Sequence, residues 1–399
     1  MRELLQKNTI GAEAAHIRIE GGSALIDGRF EDATILVNST NGRICHPDRD
    51  GRSMRHLDAR GLLVLPGIVD IHGDAFERQM MPRPGVDFAL DIALFESDQQ
   101  AIANGITTVF HGVTWSWEPG LRGSDNARLM LENIERMRPK LRADTRFHLR
   151  HETYNLEAEA DITSWLAARR IDVLAFNDHM SLTEQSQTRP HKLTGMVDRS
   201  GLTREQFLAL VAEVKQRASE VPASIERLAK AARASGVPLL SHDDTSPDQR
   251  RWFRSLGCRL AEFPTNLETA QDAAAAGDHV VLGAPNVVRG CSHTGWIKAA
   301  DMVAQGLCSI LASDYYYPAP LLAPFRLASD EVAPLEDAWA LVSQTPAAAL
   351  GLADRGVITD GRRADLILVD AGQRNRPHVI ATLVAGRIAY LSDASRLRS

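Results

Sequence analysis

Apolar and polar positions follow two different rhythms along this chain. Through the middle, a short apolar run is followed by a polar or glycine-rich cluster, then by a stretch of helical period. Eight such runs can be counted: Val64–Ile71, Ile106–His111, Arg146–Leu149, Ile171–Phe176, Val237–Leu240, Arg259–Phe263, His279–Leu282 and Cys308–Leu311. Continuous apolar runs are what parallel strands need when both faces are covered. Strands that alternate with helices predict a parallel sheet of βα units. Two of the helical stretches are Leu202–Arg217, with Phe207, Leu208, Val211 and Val214 on one stripe, and Ser224–Ser235, with Ile225 and Leu228. Such stripes face a core.

The ends read differently. Residues 14–62 alternate apolar and polar side chains, with turn signals at Asp27-Gly28 and Asn41-Gly42. The tail from Gly356 holds two more strand-like runs. The fold class predicted is therefore α/β: a (β/α)8 TIM-type barrel over residues 64–355, with a small β-sandwich built from both termini, 1–63 and 356–399. Asn177–Thr203 reads as a long polar connection, the kind of segment that forms lids and binding loops.

Polar clusters close the runs, and in a barrel that end carries the active site. The first run ends His72-Gly73-Asp74. Alternate residues of a strand share a face, so both side chains can point into the barrel mouth. A lone pair of this kind is most simply a strand cap. Here His148-Leu149-Arg150-His151-Glu152, Asn177-Asp178-His179, Ser241-His242-Asp243-Asp244 and Ser313-Asp314 close four other runs. Imidazole and carboxylate together suit Zn, Mn or Fe. The cofactor expected is one or two divalent ions, Zn first, with His72, Asp74, Glu152, His179 and His242 as ligands. Glu152 is placed to bridge two ions, which would lie about 3.5–4 Å apart and activate a water. Asp314 is the candidate general base. His148, His151, Asp178, Asp243 and Asp244 are expected to orient the ligands, and Glu262 is either a ligand or a buried acceptor.

The segment from Gly283 to Gly295 follows the seventh run, where barrels of this type bind phosphate. Its glycines let backbone N–H groups approach an anion, and Arg289 adds a forked donor. Candidate substrate-binding residues are Arg83, Arg150, Arg189, Lys192, Asn286, Arg289 and His293. Surface salt bridging is the simpler role for Arg199. These cations matter because the whole chain has no basic excess. Its 45 Lys and Arg against 51 Asp and Glu give a net charge of −6, which points away from nucleic acid while allowing a local basic pocket. At 399 residues a large core is available. No stretch of 18 apolar residues and no apolar signal core occur, so the expected setting is cytoplasmic, without a membrane partner. The four cysteines form no CxxC pair and read as reduced thiols. Oligomeric state stays open, a homo-oligomer included.

With these residues set out, Pro66-Gly67-Ile68-Val69-Asp70-Ile71-His72-Gly73-Asp74 resembles the first-strand motif of the amidohydrolase superfamily, with Asp74 where a second His is usual. Met81–Phe88, Leu239–Asp244, Ala261–Asn266, Gly283–Gly295 and Leu311–Leu322 narrow the match. Together they look like the triphosphate diphosphatases of phosphonate metabolism, over about residues 24–390. The resemblance implies an amidohydrolase barrel with a β-sandwich and a divalent metal site. It also implies release of pyrophosphate from alpha-D-ribose 1-methylphosphonate 5-triphosphate. Ser181–Thr203 and the residues after His72 depart from that family's usual form. The alternative activity is hydrolysis of a C–N bond, by a deacetylase or cyclic-amide hydrolase, which would need fewer cations in the mouth. A protein that binds metal or ligand without catalysis is a third reading, and Asp314 argues against it.

Overall fold

The computed structural model describes residues 16–46, 54–83, 85–180, 190–292, 295, 297–372 and 376–398. Seventeen strands are found among them. β1 (His16–Ile26), β2 (Arg29–Asn38), β3 (Arg43–Cys45), β4 (Met54–Asp58) and β5 (Leu63–Pro66) come from the N-terminal part. β14 (Leu366–Asp370), β15 (His378–Val384), β16 (Arg387–Leu391) and β17 (Leu397–Arg398) come from the C-terminal part, and all nine share one mixed sheet. β1 pairs with β2 along one edge. On its other edge it pairs first with β4 and then, beyond an irregularity at Gly21-Gly22, with β5. The sheet forks there, and both branches enclose a common core that includes Ile19, Val37, Leu57, Leu366 and Leu383.

The second sheet runs in sequence order through β6 (Ile68–Gly73), β7 (Ile106–Trp115), β8 (Asp144–Glu152), β9 (Val173–Asn177), β10 (Leu239–His242), β11 (Leu260–Glu262), β12 (His279–Gly283) and β13 (Ile310–Ala312). Every pairing in it is parallel. A bridge between Gly73 and Asp314 joins β6 to the eighth strand's end and closes the barrel. The predicted run Val64–Ile71 is in fact two strands belonging to different sheets. Gly67 separates them, because a Cβ there would sit 2.3 Å from Thr107 Oγ1. β7 and β8 also run further than predicted, since Gly112–Trp115 and Arg150–Glu152 continue the buried ladder despite their polar residues.

The helices are set by local chemistry. Arg204–Lys215 starts from a Thr203–Gln206 capping box. Pro247–Leu256 starts on the Ser246 side chain and ends at Gly257 with φ +104°. The connection after β9, read as an irregular polar loop, contains the helix Pro190–Ser200. Leu193 on that helix is buried with Met180, Phe207 and Val211. Among the described residues, no helix is long and apolar enough to cross a membrane.

Candidate metal centre at the barrel mouth

The period of two on β8 sorts its polar residues. His148, Arg150 and Glu152 share one face, and all three are buried. They meet His72 from β6, His242 from β10 and Glu262 from β11. His242 and Glu262 are paired in register. His151 falls on the other face, where its ring packs 6.4 Å from Phe176 and burial lowers its pKa to about 4. It orients no candidate ligand there.

Three strand ends then turn sharply. Asp243, Phe263 and Asp314 follow β10, β11 and β13 with φ of +59°, +54° and +52°. Non-glycine residues in this left-handed region cost about 1–3 kcal/mol each and cluster at functional sites. Asp314 is held on both sides. Its N–H donates to the His72 carbonyl at 2.9 Å, and its own carbonyl accepts from Asp74 N–H at 2.9 Å. The preceding Ser313 donates through N–H (2.9 Å) and Oγ (2.6 Å) to the carboxylate of Asp70. Gly73 leaves room for that clamp, because a Cβ there would lie 2.8 Å from Asp70 Oδ2.

The result is a cavity of about 210 Å³ whose lining includes His72, Arg150, His179, His242, Asp243 and Asp314. Three groups of donor atoms in it lie close enough to hold an ion: His72, His242 and Glu262; His179, His242 and Asp243; and His72, Asp74 and Asp314. The donors fit a divalent metal. They are imidazole and carboxylate, and both nitrogens of His72 and both oxygens of Glu262 are buried without a hydrogen bond. The structure thus brings His72, Asp74, His179 and His242 together.

Glu152 takes a different position from the bridging one expected of it. Its Oε1 lies 2.5 Å from His179 Nδ1, outside the three donor groups. As placed, it orients His179, whose Nε2 lies 3.0 Å from Asp243 Oδ2. Burial opposes charge on His179, but the carboxylates of Glu152 and Asp243 outweigh it and lift its pKa to about 9. Asp243 touches both His179 and His242 (3.2 Å). Burial raises the Asp314 carboxyl well above its ordinary range, and the neighbouring Asp74 raises it further. That direction suits a group that must take up a proton.

The other acids near the mouth do other work. Asp244 reaches Ser241 Oγ (2.6 Å) and Arg250 (3.1 Å) rather than an imidazole. Asp178 Oδ1 accepts from Met180 N–H at 3.2 Å. His148 and Glu262 face the donor nest directly. The signal for His148 was available: it has the same parity as Glu152 on one strand. Glu262 offered none, since its strand has only three residues and its facing depends on pairing with His242.

Of the substrate-binding candidates, Arg150 and Asn286 line the cavity. Arg150 Nη1 donates to Asp74 Oδ2 and Nη2 to His242 Nε2, both at 3.2 Å. The Asn286 side chain is used in clasping the following segment, donating to Ile297 O and accepting from Ala299 N–H. The predicted anion loop is instead the helix Ala284–Arg289, ended by Gly290 at φ +75°. Arg289 is exposed at the rim and donates to Tyr315 Oη at 3.2 Å. Arg83 is exposed and is not part of the cavity lining. Arg189, the Lys192 side chain and His293 lie outside the described residues. Arg199 pairs with Glu118 at 2.5 Å, the structural role expected for it.

A family model described as amidohydrolase family matches residues 63–391. Alpha-D-ribose 1-methylphosphonate 5-triphosphate diphosphatase of Escherichia coli (strain K12) is 34% identical over 342 residues, covering 82% of this chain and 89% of that protein. Among solved structures, molinate hydrolase superposes with a TM-score of 0.63 at 15% identity, covering 95% of each chain. Dihydropyrimidinase from Brevibacillus agri NCHU1002 gives 0.57 at 13% identity, over 94% of this chain and 95% of that one. At those identities the two structures show the fold alone.

Proposed function

The chain belongs to the amidohydrolase family, and from that premise we propose that it hydrolyses a phosphorylated sugar. The leading substrate is alpha-D-ribose 1-methylphosphonate 5-triphosphate, cleaved to the 5-phosphate and pyrophosphate. The observation that carries this reading is Arg150. Its guanidinium is buried, lines the cavity, and stands against Asp74 and His242 within the donor nest. An arginine there offers a planar fork to phosphate oxygens, which an uncharged amide would not need. The relative at 34% identity supports the same substrate class.

In this reading His72, Asp74, His179 and His242 hold divalent metal, and Glu152 fixes the orientation of His179. When bound, the metal supplies positive charge that stabilises the developing negative charge on phosphoryl oxygens. Asp314 takes the proton of the attacking water as water adds across the bond between the first and second phosphorus. Its raised proton affinity lets it hold that proton and pass it on. Arg150 orients the phosphate chain from inside, and Arg289 contacts it from the rim.

The test is product identity. Purified enzyme supplied with Zn(II) or Mn(II) is given the ribose 5-triphosphate, and phosphate, pyrophosphate and ammonia are followed separately. The expected result is pyrophosphate and 5-phosphate in equal amounts. If uncharged amides turn over faster than any phosphorylated sugar, C–N hydrolysis replaces this reading.

A further inference from the structure

We propose that His72, His148, His242 and Glu262 form an inner cation cage, with Glu262 as its anionic ligand and His148 binding through Nε2. This deepens the metal-dependent reading above and rests on it. The four side chains come from β6, β8, β10 and β11, and each is no more than 5% exposed. Glu262 is fully buried, and neither of its oxygens makes a hydrogen bond. The basic groups within 4.0 Å of it, among the described residues, are imidazoles: His72 Nδ1 at 2.8 Å, His148 Nε2 at 3.9 Å and His242 Nε2 at 4.0 Å. The short contact to His72 lacks hydrogen-bond geometry, since both atoms remain unsatisfied.

Buried polar atoms in native proteins are satisfied by a partner, by water or by an ion. His148 shows how its ring is committed. Nδ1 lies 2.9 Å from the Ile71 carbonyl, which can only accept, so Nδ1 carries the proton. Nε2 is left with a lone pair, buried and without a hydrogen bond, on the side of Glu262. An imidazole fixed through one nitrogen by a backbone carbonyl, with the other nitrogen facing in, is the arrangement of a metal-ligating histidine. Donors about 2.0–2.2 Å from a shared ion in tetrahedral geometry stand roughly 3.3–3.5 Å apart. The 2.8–4.0 Å contacts around Glu262 bracket that spacing. Three nitrogens and one carboxylate make a donor set suited to zinc.

The outer acids are already occupied, which separates them from this cage. Glu152 and Asp243 both engage His179, and Asp243 also faces His242. His242 is the shared member. Arg150 donates to its Nε2 at 3.2 Å, so an ion and Arg150 compete for one lone pair. Glu262, His72 and His148 carry no such competitor.

The test is metal affinity rather than turnover. Wild type, Glu262→Gln, Glu262→Asp and His148→Gln are purified without chelator. Metal content is measured by elemental mass spectrometry, Zn(II) affinity by competition with a chromophoric chelator, and the Co(II) absorption spectrum is recorded. Glu262→Gln keeps the shape and removes the charge, so Zn(II) affinity should fall at least 100-fold and the Co(II) spectrum should change. Glu262→Asp should recover part of the affinity. If Glu262→Gln does not fold, His148→Gln decides, with an expected loss of at least tenfold. Unchanged affinity and spectrum in the folded variant overturn the cage even though wild type binds metal. A wild type that binds the ion tightly but releases no pyrophosphate removes the substrate reading and leaves the cage standing.

Discussion

Arg250→Met is the sharpest test of how the scaffold holds the site. Arg250 is fully buried beneath the ends of β10 and β11. Its Nη1 donates to Ser241 Oγ (2.5 Å), Asp244 Oδ2 (3.1 Å) and the Leu260 carbonyl (3.4 Å), and its Nη2 donates to the Cys258 carbonyl (2.5 Å). Methionine keeps much of the stem's volume and removes every donor. Asp278 is not stranded, since Arg254 (2.5 Å) and Arg259 (3.6 Å) remain. Asp244 is, with only Ser241 left to it. Breaking a buried pair by removing one partner costs about 3–5 kcal/mol, and each abandoned carbonyl adds on the order of 1 kcal/mol. Burial already pushes the Asp244 carboxyl upward, so it can escape part of the penalty by taking a proton. The expected net loss is about 4 kcal/mol in urea unfolding at neutral pH. Adding Asp244→Asn to Arg250→Met removes the stranded charge and should restore about 2 kcal/mol, a coupling readable from a double-mutant cycle. A loss below about 1 kcal/mol, or strict additivity, would refute the reasoning.

Three further outcomes follow from the same geometry. Asp314→Asn should leave metal content and unfolding midpoint unchanged while lowering kcat by roughly 10²–10⁴-fold; a change within a few-fold makes Asp314 structural. Arg289→Ala should weaken binding of the phosphorylated substrate by about 2 kcal/mol, roughly thirtyfold, with Arg289→Lys recovering only part; equal effects on a matched substrate without the phosphate chain would make the rim contact structural. Asp144 joins β8 to the C-terminal segment through Arg355 (2.6 Å) and also pairs with Arg146 (2.9 Å). Burial opposes its charge, but hydrogen bonds and charge from Arg146 and Arg355 hold its pKa at about 2. A folded pKa below the ordinary carboxylate value adds stability at pH above about 4 and loses it as pH falls towards 2. Asp144→Asn should therefore be less stable than wild type by about 2 kcal/mol at pH 7 and nearly equal to it near pH 2, as read by urea titration at each pH.

Much of this architecture could be read before any coordinates. The eight apolar runs correspond to eight parallel strands because a strand buried on both faces must be apolar throughout. His72 and Asp74 were legible because a period of two puts both on one face. What escaped depended on register and on backbone turns. Gly67 divides one apolar run between two sheets through a close approach to Thr107. The glycine-rich stretch after β12 folds as the helix Ala284–Arg289, although its composition reads as a loop. Asp243 touches two histidines because its backbone takes a left-handed turn after β10. Glu152 and Glu262 look alike in the chain. One finds an imidazole partner and the other lies buried without a hydrogen bond, and only the packing of β8 against β11's end separates them.

The central claim is metal-dependent hydrolysis at the donor nest around His72 and His242. Its most direct test is removal and return of the metal in one preparation. The purified enzyme is stripped with chelator, dialysed, and titrated with Zn(II) or Mn(II), while bound metal and pyrophosphate release from the ribose 5-triphosphate are measured at each step. The account predicts loss of turnover in the stripped protein and its recovery in proportion to bound metal, levelling at one or two ions per chain. Full turnover in excess chelator, with no metal retained, would contradict it.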